Sequence, residues 1–419
     1  MSEAAVMSDA ASDDAYSLPL DKINVGQPHL FKENAIWPYF ERLRNEDPVH
    51  YCAESDYGPY WSVTKYNDIM KVDTNHGIYS SESGLGGITI RDPMADFQLP
   101  MFIAMDQPKH DVQRKVVTPA VSPVQLSEVE PMIRKRVGDV LDSLPVGETF
   151  NWVDLVSIEL TTQMLATLFD FPFEERRKLT YWSDISASGP QVGDDSMTEE
   201  FRLQELTKCL EEFNALWQER KAQPRKNDFI SLMAHHPDMQ NMDPMEYLGN
   251  LMLLIVGGND TTRNSMSGGV VALNQNPAEY DKLRADPSLI PNMVSEIIRW
   301  QTPLAHMRRN ALEDVELGGK TIKKGDKVVM WYISGNRDDE VIDRPDEFII
   351  DRPKARHHVS FGFGIHRCMG NRLAEMQIKI LWEEILKRFS NVELVGEPVR
   401  VTSNFVMGYS DLPVRLHAK

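Results

Sequence analysis

The stretch from Asp243 to Asn276 constrains the fold more than any other part of the chain. Asp243 can cap the start of a helix, Pro244 suits the first helical position, and Glu246 has the spacing of a capping box. Pro277 ends the pattern, so the helix spans about 32 residues and ~48 Å. Its middle, LMLLIVGG, is apolar on all sides, which is typical of a buried helix. The sequence therefore predicts a long helix through the centre of a mainly helical domain.

The segment GGNDTT, residues 257–262, follows this apolar run directly. It places one acid and two alcohols deep in the predicted interior. Two adjacent glycines weaken a helix, and a threonine hydroxyl can bond back to the preceding turn, so we expect a local distortion here. Alternatively, NDTT marks the start of a second helix.

The overall composition excludes several classes of protein. Of the 419 residues, 42% are hydrophobic, which is enough for a large core, and the net charge of −18 disfavours a nucleic-acid partner. The chain has no run of about eighteen apolar residues, so we expect no membrane span. The acidic residues 1–20 lack the features of a secretion signal and are predicted to be a disordered tail before a single domain, 21–419. The three widely spaced cysteines favour a reducing cytoplasm over a disulfide framework.

Shorter patterns predict the remaining elements. In the first half they are a helix at 37–46, a hairpin from VHYCAE and PYWSVTKY, a loop at 80–93, and helices over about 107–275 with an interruption near 184–198. After Trp300 they are strands in DVELGG, KTIKKG and KVVMWYIS, a meander rich in proline, and a helix at about 369–389. Helices outnumber strands, so we predict a mainly α fold, one large helical domain carrying a small β-rich region.

Cys368 stands out within FGFGIHRCMGNRLAE, residues 361–375. A lone cysteine can be a small buried hydrophobe, a nucleophile or a metal ligand. Gly362, Gly364 and Gly370 let the backbone approach a flat or bulky group closely. The start of the following helix is expected to lower the pKa of the thiol and to favour thiolate. A zinc site would need further Cys or His at short spacings, and no CxxC motif is present.

This stretch resembles the haem-binding loop of the cytochromes P-450, the haem-thiolate monooxygenases. Phe361, Gly364, Cys368 and Gly370 match that family's signature. The resemblance implies the cytochrome P-450 fold, with haem b bound between the long central helix and the helix that follows the cysteine. It also implies that Cys368 is the iron ligand. Because the CxxCH motif is absent, the haem would be held without thioether bonds.

Further motifs extend the resemblance along the chain. Glu296 and Arg299 have the spacing of the family's structural ExxR pair, which by itself would be an ordinary helix ion pair. Arg352 matches the meander arginine that joins this pair in the family. Asp260 and Thr261 match the acid–alcohol pair of the central helix, which implies proton delivery during dioxygen activation. Peroxide-driven relatives typically lack that pair, so it favours O2 as the oxidant.

The resemblance also implies which residues bind the haem propionates. His110 and Arg114 are four residues apart and share a helix face, which in isolation would be solvated. In the family such residues bind the propionates together with an arginine and a histidine, here Arg309 and His366. Arg308 is adjacent to Arg309, so the sequence alone leaves that choice open.

Electrons must come from other proteins, because the chain has neither a flavin domain nor a Cys-rich iron–sulfur segment. A ferredoxin and an NAD(P)H-dependent ferredoxin reductase are the implied partners. The resemblance places five basic residues near the cysteine side of the haem: Lys109, Lys115, Arg367, Arg372 and Lys379. They form either a docking patch for an acidic partner or scattered solvated charges.

A narrower resemblance concerns the substrate. TPLAHMRRNALED, GDKVVMWYISGNRDDEVIDRPDEFIIDRP and the cysteine loop are similar to bacterial family 153, which hydroxylates the end carbon of medium-chain alkanes. Twelve residues, each of which could equally be core, are predicted to line the site of this hydrophobic small molecule: Leu85, Ile88, Ile90, Leu254, Ile255, Gly257, Leu304, Ala305, Met307, Phe405, Val406 and Met407.

Other functions stay open on the sequence. The same scaffold could be a fatty-acid ω-hydroxylase, or a terpene or tailoring monooxygenase. A fatty-acid enzyme would need a cation at the mouth of its channel, and the direction of Arg91 is not given by the sequence. A haem-binding gas sensor is a candidate from another class. The acid–alcohol pair and the absence of an output domain weigh against a sensor.

Overall fold

The structure is a computed structural model that describes residues 15–92, 99–187 and 198–419. Helices make up most of it, as the sequence predicts. The helices are α1 Pro28–Lys32, α2 Trp37–Glu46, α3 Tyr66–Thr74, α4 Lys109–Val117, α5 Pro123–Asp142, α6 Glu159–Phe169, α7 Arg177–Ala187, α8 Glu199–Lys221, α9 Phe229–His235, α10 Pro244–Gln275, α11 Pro277–Ala285, α12 Ile290–Gln301, α13 Tyr332–Gly335 and α14 Asn371–Arg388. In these ranges no helix is long and apolar enough to cross a membrane.

The central helix α10 spans Pro244–Gln275 without a break, so the alternative of two separate helices is wrong. The Asp243 carboxylate caps it by accepting a hydrogen bond from the Met245 amide at 2.8 Å. The capping box is not formed, because Glu246 instead pairs with Lys109 at 2.7 Å and accepts a bond from Gln113. Helices α6, α7, α12 and α14 all pack against α10, which therefore runs through the centre of the fold.

The strands form small sheets. They are β1 Val49–Cys52, β2 Tyr60–Val63, β3 Tyr79–Ser80, β4 Thr149–Asn151, β5 Met307–Ala311, β6 Val315–Leu317, β7 Lys320–Ile322, β8 Lys327–Met330, β9 Phe389–Leu394, β10 Val399–Arg400, β11 Tyr409–Asp411 and β12 Pro413–Ala418. The largest sheet has the order β1-β2-β8-β5-β3, in which only β2 and β8 are parallel. The predicted hairpin is β1–β2, with Val49 opposite Val63.

Three predictions of local structure need correction. The disordered tail is wrong for residues 15–20, since Ala15 is fully buried and Arg42 donates hydrogen bonds to the carbonyls of Ala15 and Leu18. The rest of that tail, residues 1–14, lies outside the described residues. The strand predicted for KVVMWYIS ends at Met330, because the chain then forms helix α13. Helix α7 continues into the predicted 184–198 interruption, and 188–197 lie outside the described residues.

The hydrophobic core is divided into three clusters. The largest joins α5, α6, α10, α12 and α14, and it contains the buried Trp152 and Trp382. A second lies under the N-terminal segments around Trp331. A third fills the space beneath the five-stranded sheet. The cysteine loop and the polar middle of α10 thus lie on elements held in place by this packing.

Candidate active site

The loop before α14 depends on two glycines in the left-handed region. Gly362 has φ of +62° and Gly364 has φ of +66°. A Cβ atom on Gly364 would lie 2.5 Å from the backbone oxygen of Asp73, so no other residue fits there. The Cys368 amide then donates to the Phe361 carbonyl at 2.8 Å, which closes the loop. These contacts fix the position of Cys368 relative to the start of α14.

The Cys368 thiol is surrounded by many protein atoms, although the residue keeps accessible surface. Burial raises its pKa, and the amides of Gly370 and Asn371 together with Arg114 and Arg367 oppose that rise. The expected lowering of the thiol pKa is therefore wrong for the protein without a metal, because desolvation outweighs the helix start. Thiolate at this position needs a cation as its partner, and a bound metal ion supplies one.

Two imidazoles meet beside this loop. The rings of His110 and His366 lie 4.3 Å apart between centroids, and both side chains are buried. The Nε2 atom of His110 and both ring nitrogens of His366 have no hydrogen-bond partner within the described structure. Burial, assisted by Arg309, His110 and Arg114, lowers the pKa of His366 to about 2. A buried ring nitrogen without a hydrogen bond costs free energy. The cluster therefore favours a ligand that offers hydrogen-bond acceptors.

Strand β5 decides between the two adjacent arginines. Arg309 points toward the imidazole cluster, where it lowers the pKa of His366, and its Nη2 lies 2.8 Å from Asp73 Oδ1. Arg308 points to the opposite face, where it binds Asp92 and the side chain of Asn310. Alternation along a strand explains the difference. Arg309 is therefore the arginine that the cluster can use.

Sequence reasoning missed two residues of this cluster. Asp73 holds Arg309 and also accepts hydrogen bonds from the Tyr332 hydroxyl at 2.9 Å and the Phe363 amide at 2.7 Å. His76 has a buried Nδ1 without a partner in the described part of the chain, and its charge contributes to the low pKa of His366. Both follow from contacts between distant segments, and no local motif marks them.

These residues fit haem b. An accessible sulfur on Cys368 suits iron, and the unpartnered imidazoles with Arg114 and Arg309 suit two carboxylates. On α10, a Cβ atom added to Gly257 would meet no atom within 4 Å, so the helix leaves open space there. A flat group with one metal and two propionates has the donor set that this chemistry requires.

The acid–alcohol pair lies in the middle of α10. Asp260 is fully buried, and burial raises the pKa of its carboxyl to about 6. Its Oδ1 lies 2.9 Å from Arg263 and accepts a hydrogen bond from Asn259 at 3.1 Å. Its Oδ2 has no partner in the described structure. The half-buried Thr261 donates its hydroxyl to the Gly257 carbonyl at 2.7 Å, as helical back-bonding predicts.

A chain of polar contacts joins Asp260 to the surface. Arg263 also lies 2.7 Å from Asp184 on α7, and that carboxylate is 48% exposed. Asn259 in turn accepts a hydrogen bond from Thr161 at 2.9 Å. A buried acid with a pKa near 6 and a charged route to solvent can both take up and release protons near neutral pH. Neither Arg263 nor Asp184 was predicted from the sequence.

The ExxR residues form a closed network. Arg299 binds Glu296 at 2.8 Å, and Arg352 binds the same carboxylate at 3.0 Å. The remaining Arg299 donors reach the carbonyls of Asn336, Pro345 and Glu347, and the Ile349 amide bonds Glu296. Arg299 and Arg352 lower the pKa of Glu296 against the effect of burial. The grouping implied by the family resemblance is thus present in the geometry.

The residues predicted to line the substrate site divide into three groups by their burial. Ile255 and Ala305 expose no surface and belong to core clusters, and their place in the lining stays a prediction. Four others are buried to at least nine-tenths: Ile90, Leu254, Val406 and Met407. The remaining predicted residues keep accessible surface: Leu85, Ile88, Gly257, Leu304, Met307 and Phe405.

The predicted basic patch is only partly available. Lys109 is paired with Glu246 at 2.7 Å, and Lys379 with Glu383 at 3.1 Å. Lys115, Arg367 and Arg372 are exposed. Arg367 also opposes the rise that burial causes in the pKa of Cys368, so its charge lies near the cysteine. A smaller group of cations thus remains for an acidic partner.

Comparison with known proteins identifies the family of such a site. A family model for cytochrome P-450 matches residues 195–409. The chain is 37% identical to a linalool 8-monooxygenase from Pseudomonas putida, over 96% of this chain and 100% of the relative. Two solved structures of family 153 cytochromes P-450 are similar. The one from Novosphingobium aromaticivorans is 47% identical with a TM-score of 0.88, covering 94% of this chain and 99% of that one. The one from Sphingomonas sp. PAMC 26605 is 51% identical with a TM-score of 0.90, covering 95% and 100%.

Proposed function

Because this chain belongs to the cytochrome P-450 family of haem-dependent monooxygenases, we propose that it hydroxylates the terminal carbon of medium-chain linear alkanes to 1-alkanols. The observation that carries this proposal is the identity of about half of all residues with two family 153 structures over nearly the whole chain. The resemblance to that family implies attack at the end carbon of linear alkanes. The cytoplasmic location stays a prediction.

The residues proposed to hold haem b are those of the cysteine loop and the imidazole cluster. Cys368 is the iron ligand, and Phe361, Gly364 and Gly370 shape the loop around it. His110, Arg114, Arg309 and His366 bind the propionates, and Asp73 positions Arg309. Haem ligated by a thiolate supplies the activation of O2 for insertion into an unactivated C–H bond. Glu296, Arg299 and Arg352 hold the meander next to the loop.

The middle of α10 is proposed to supply protons. Asp260 takes up a proton and releases it near neutral pH, because its pKa is about 6. Arg263 and Asp184 connect it with solvent. The Thr261 hydroxyl lies next to the open space beside Gly257. We propose that it passes the proton into that space.

An alkane has no polar handle, so its orientation must come from shape and apolar contact. Each methylene removed from water contributes about 0.8 kcal/mol. The accessible members of the predicted lining are apolar residues from three separate segments of the chain: Leu85, Ile88, Leu304, Met307 and Phe405. Such a site favours a linear hydrocarbon over a polar ligand. Electrons are proposed to come from a ferredoxin and its NAD(P)H-dependent reductase, which would dock against Lys115, Arg367 and Arg372.

The second candidate is oxidation of a terpene alcohol. It is favoured by the 37% identity with the linalool 8-monooxygenase, which is lower than the identity with the family 153 structures. A fatty-acid ω-hydroxylase is the third candidate. Its carboxylate anchor would have to be Arg91, which lies beside the Tyr57 phenol.

A panel of three substrates separates these candidates. The purified holoenzyme is supplied with a surrogate ferredoxin, its reductase and NADH, and with octane, linalool or dodecanoic acid. Gas chromatography of the products should show octanol formation as the fastest reaction, and none without the ferredoxin. Faster oxidation of linalool or dodecanoic acid, with no octanol, would transfer the assignment to the second or third candidate.

A further inference from the structure

His306 occupies a position that the proposed function does not explain. Its side chain is fully buried in the segment between α12 and β5, and burial lowers the pKa of the ring to about 4. It packs edge-on against Trp331 at 4.8 Å and Phe405 at 5.2 Å. Burying an imidazole costs free energy unless its ring nitrogens are hydrogen-bonded. The hydrogen-bond partners of His306 therefore indicate its role.

Both nitrogens of His306 are bonded, each to a different segment. The Ile90 amide donates to Nε2 at 3.1 Å, and Nδ1 lies 2.8 Å from the Asn404 carbonyl. Because Nε2 accepts, Nδ1 must carry the proton and donate it to Asn404. The ring is therefore a neutral imidazole in the Nδ1–H tautomer, in keeping with its low pKa.

These two partners belong to, or directly adjoin, two of the four segments that were predicted to line the substrate site. Ile90 lies in the loop that begins at Gly84 and includes Leu85 and Ile88. Asn404 directly precedes Phe405. His306 itself lies in a third segment, between Ala305 and Met307. The side chain of His306 thus joins three of the four segments, and α10 is the fourth.

Other contacts hold the same segments at their edges. The Ala305 amide donates to the Phe405 carbonyl at 2.8 Å, and the Arg308 amide to the Ile88 carbonyl at 2.8 Å. The Lys327 amine reaches the Ile90 carbonyl at 2.9 Å. In the described structure the Ile90 amide donates a hydrogen bond to the His306 side chain. A substitution at position 306 can therefore remove this bond.

We infer that His306 is a positioning residue that sets the regioselectivity of hydroxylation by fixing the 84–92 loop against the 404–407 segment. The inference rests on the proposed function for the choice of substrate. A looser loop lets Ile88 move relative to Phe405, so a linear chain can slide and present its second carbon in place of the first. His306 does not contact the reacting atoms in this account. It acts through the side chains that its two hydrogen bonds hold in place.

Two amide substitutions separate the two bonds. The side chain of Asn places an amide where Nδ1 stands, and that of Gln places one where Nε2 stands. His306→Asn therefore keeps the bond to Asn404 and loses the bond to Ile90, whereas His306→Gln keeps the bond to Ile90. His50→Asn is the matched control, because His50 is also buried and bonds Asp47 at 3.0 Å and the Ile23 carbonyl at 3.0 Å, and neither partner belongs to a lining segment.

Hydrogen exchange and product analysis test the inference together. In His306→Asn, exchange of the Ile90 amide should be roughly tenfold faster, and the ratio of 1-octanol to 2-octanol should fall several-fold. His306→Gln should restore both quantities toward the wild-type values, and His50→Asn should change neither. Unchanged exchange at Ile90, or faster exchange with an unchanged product ratio, would overturn the inference.

Two further measurements cover the cases in which octane is not oxidised or His306→Asn does not fold. If octane is not oxidised, the proposed function fails, and the product ratio is measured on whichever of linalool and dodecanoic acid is hydroxylated. If His306→Asn does not fold, the nitrogen chemical shifts of the wild-type ring decide. They should show the Nδ1–H tautomer and a protected Ile90 amide, and an Nε2–H tautomer would contradict the proposal.

Discussion

Two buried polar regions of this protein differ in how completely their groups are satisfied. Around Glu296 every charge has a partner, since Arg299 and Arg352 share one carboxylate and their other donors reach backbone carbonyls. Around His366 three ring nitrogens of two histidines lack partners in the described structure, and several cations are gathered with a single buried carboxylate, Asp73. The first region completes the fold by itself, whereas the second is completed by a ligand.

The acid in the middle of α10 is also less completely paired than Glu296. Asp260 is as deeply buried as Glu296, yet its pKa is raised to about 6 while that of Glu296 is lowered. Two guanidinium groups face Glu296, and one guanidinium shared with Asp184 faces Asp260. Full pairing fixes a charge, and partial pairing leaves a group that can exchange protons.

Breaking the satisfied network should have the largest effect on stability. Glu296→Gln leaves Arg299 and Arg352 buried without a countercharge, so the free energy of unfolding should fall by about 3–5 kcal/mol. Urea denaturation of the holoenzyme measures this. Asp139→Asn is the control, because the Lys135–Asp139 pair is exposed on α5 and should contribute less than ~1 kcal/mol. An equal loss of unfolding free energy in the two variants would show that the buried network stabilises the fold no more than an exposed ion pair.

Asp260 should give stability a pH dependence of opposite sign to that of a paired acid. Its pKa is about 6 in the folded protein and near 3.8 in the unfolded chain, so between these values the folded state binds more protons. The free energy of unfolding should therefore fall as pH rises from 4 to 6, by roughly 2 kcal/mol relative to Asp260→Asn. Urea denaturation of both proteins at several pH values measures the difference. Parallel curves for the two proteins would show that Asp260 does not titrate in this range.

Removing an unpartnered imidazole should act on ligand binding and spare the fold. His366→Phe breaks no hydrogen bond found within the described chain, so the apoprotein should be as stable as the wild type or more stable. Haem affinity should fall about 10- to 100-fold, because a bond to a charged propionate contributes about 1.5–3 kcal/mol. Haem titration and urea denaturation of the apoprotein give the two quantities. His50→Phe, which loses two internal bonds, should show the reverse pattern.

The sequence predicts those parts of the site that are written in consecutive residues. The cap at Asp243 and the stop at Pro277 define α10, and the glycines around Cys368 define the loop, since each acts through its own backbone conformation. The pairing of Glu296 with Arg299 follows from one helical turn. These features need no knowledge of the remaining fold.

The residues that sequence reasoning missed depend on contacts between distant segments. Asp73 is 236 positions from Arg309, and Asp184 is 79 positions from Arg263. The choice between Arg308 and Arg309 required the direction of β5, and the rise in the pKa of Cys368 required the depth of its burial. Local patterns carry no information on either, because both are set by tertiary packing.

Product regiochemistry on octane tests the central claim most directly. The holoenzyme, with a surrogate ferredoxin, its reductase and NADH, is first shown to give the carbon monoxide difference spectrum of a thiolate-ligated haem. The octanols are then separated by gas chromatography. Predominantly 1-octanol is the result that terminal hydroxylation predicts. Predominantly 2-octanol, or no octanol from correctly ligated enzyme, would contradict it.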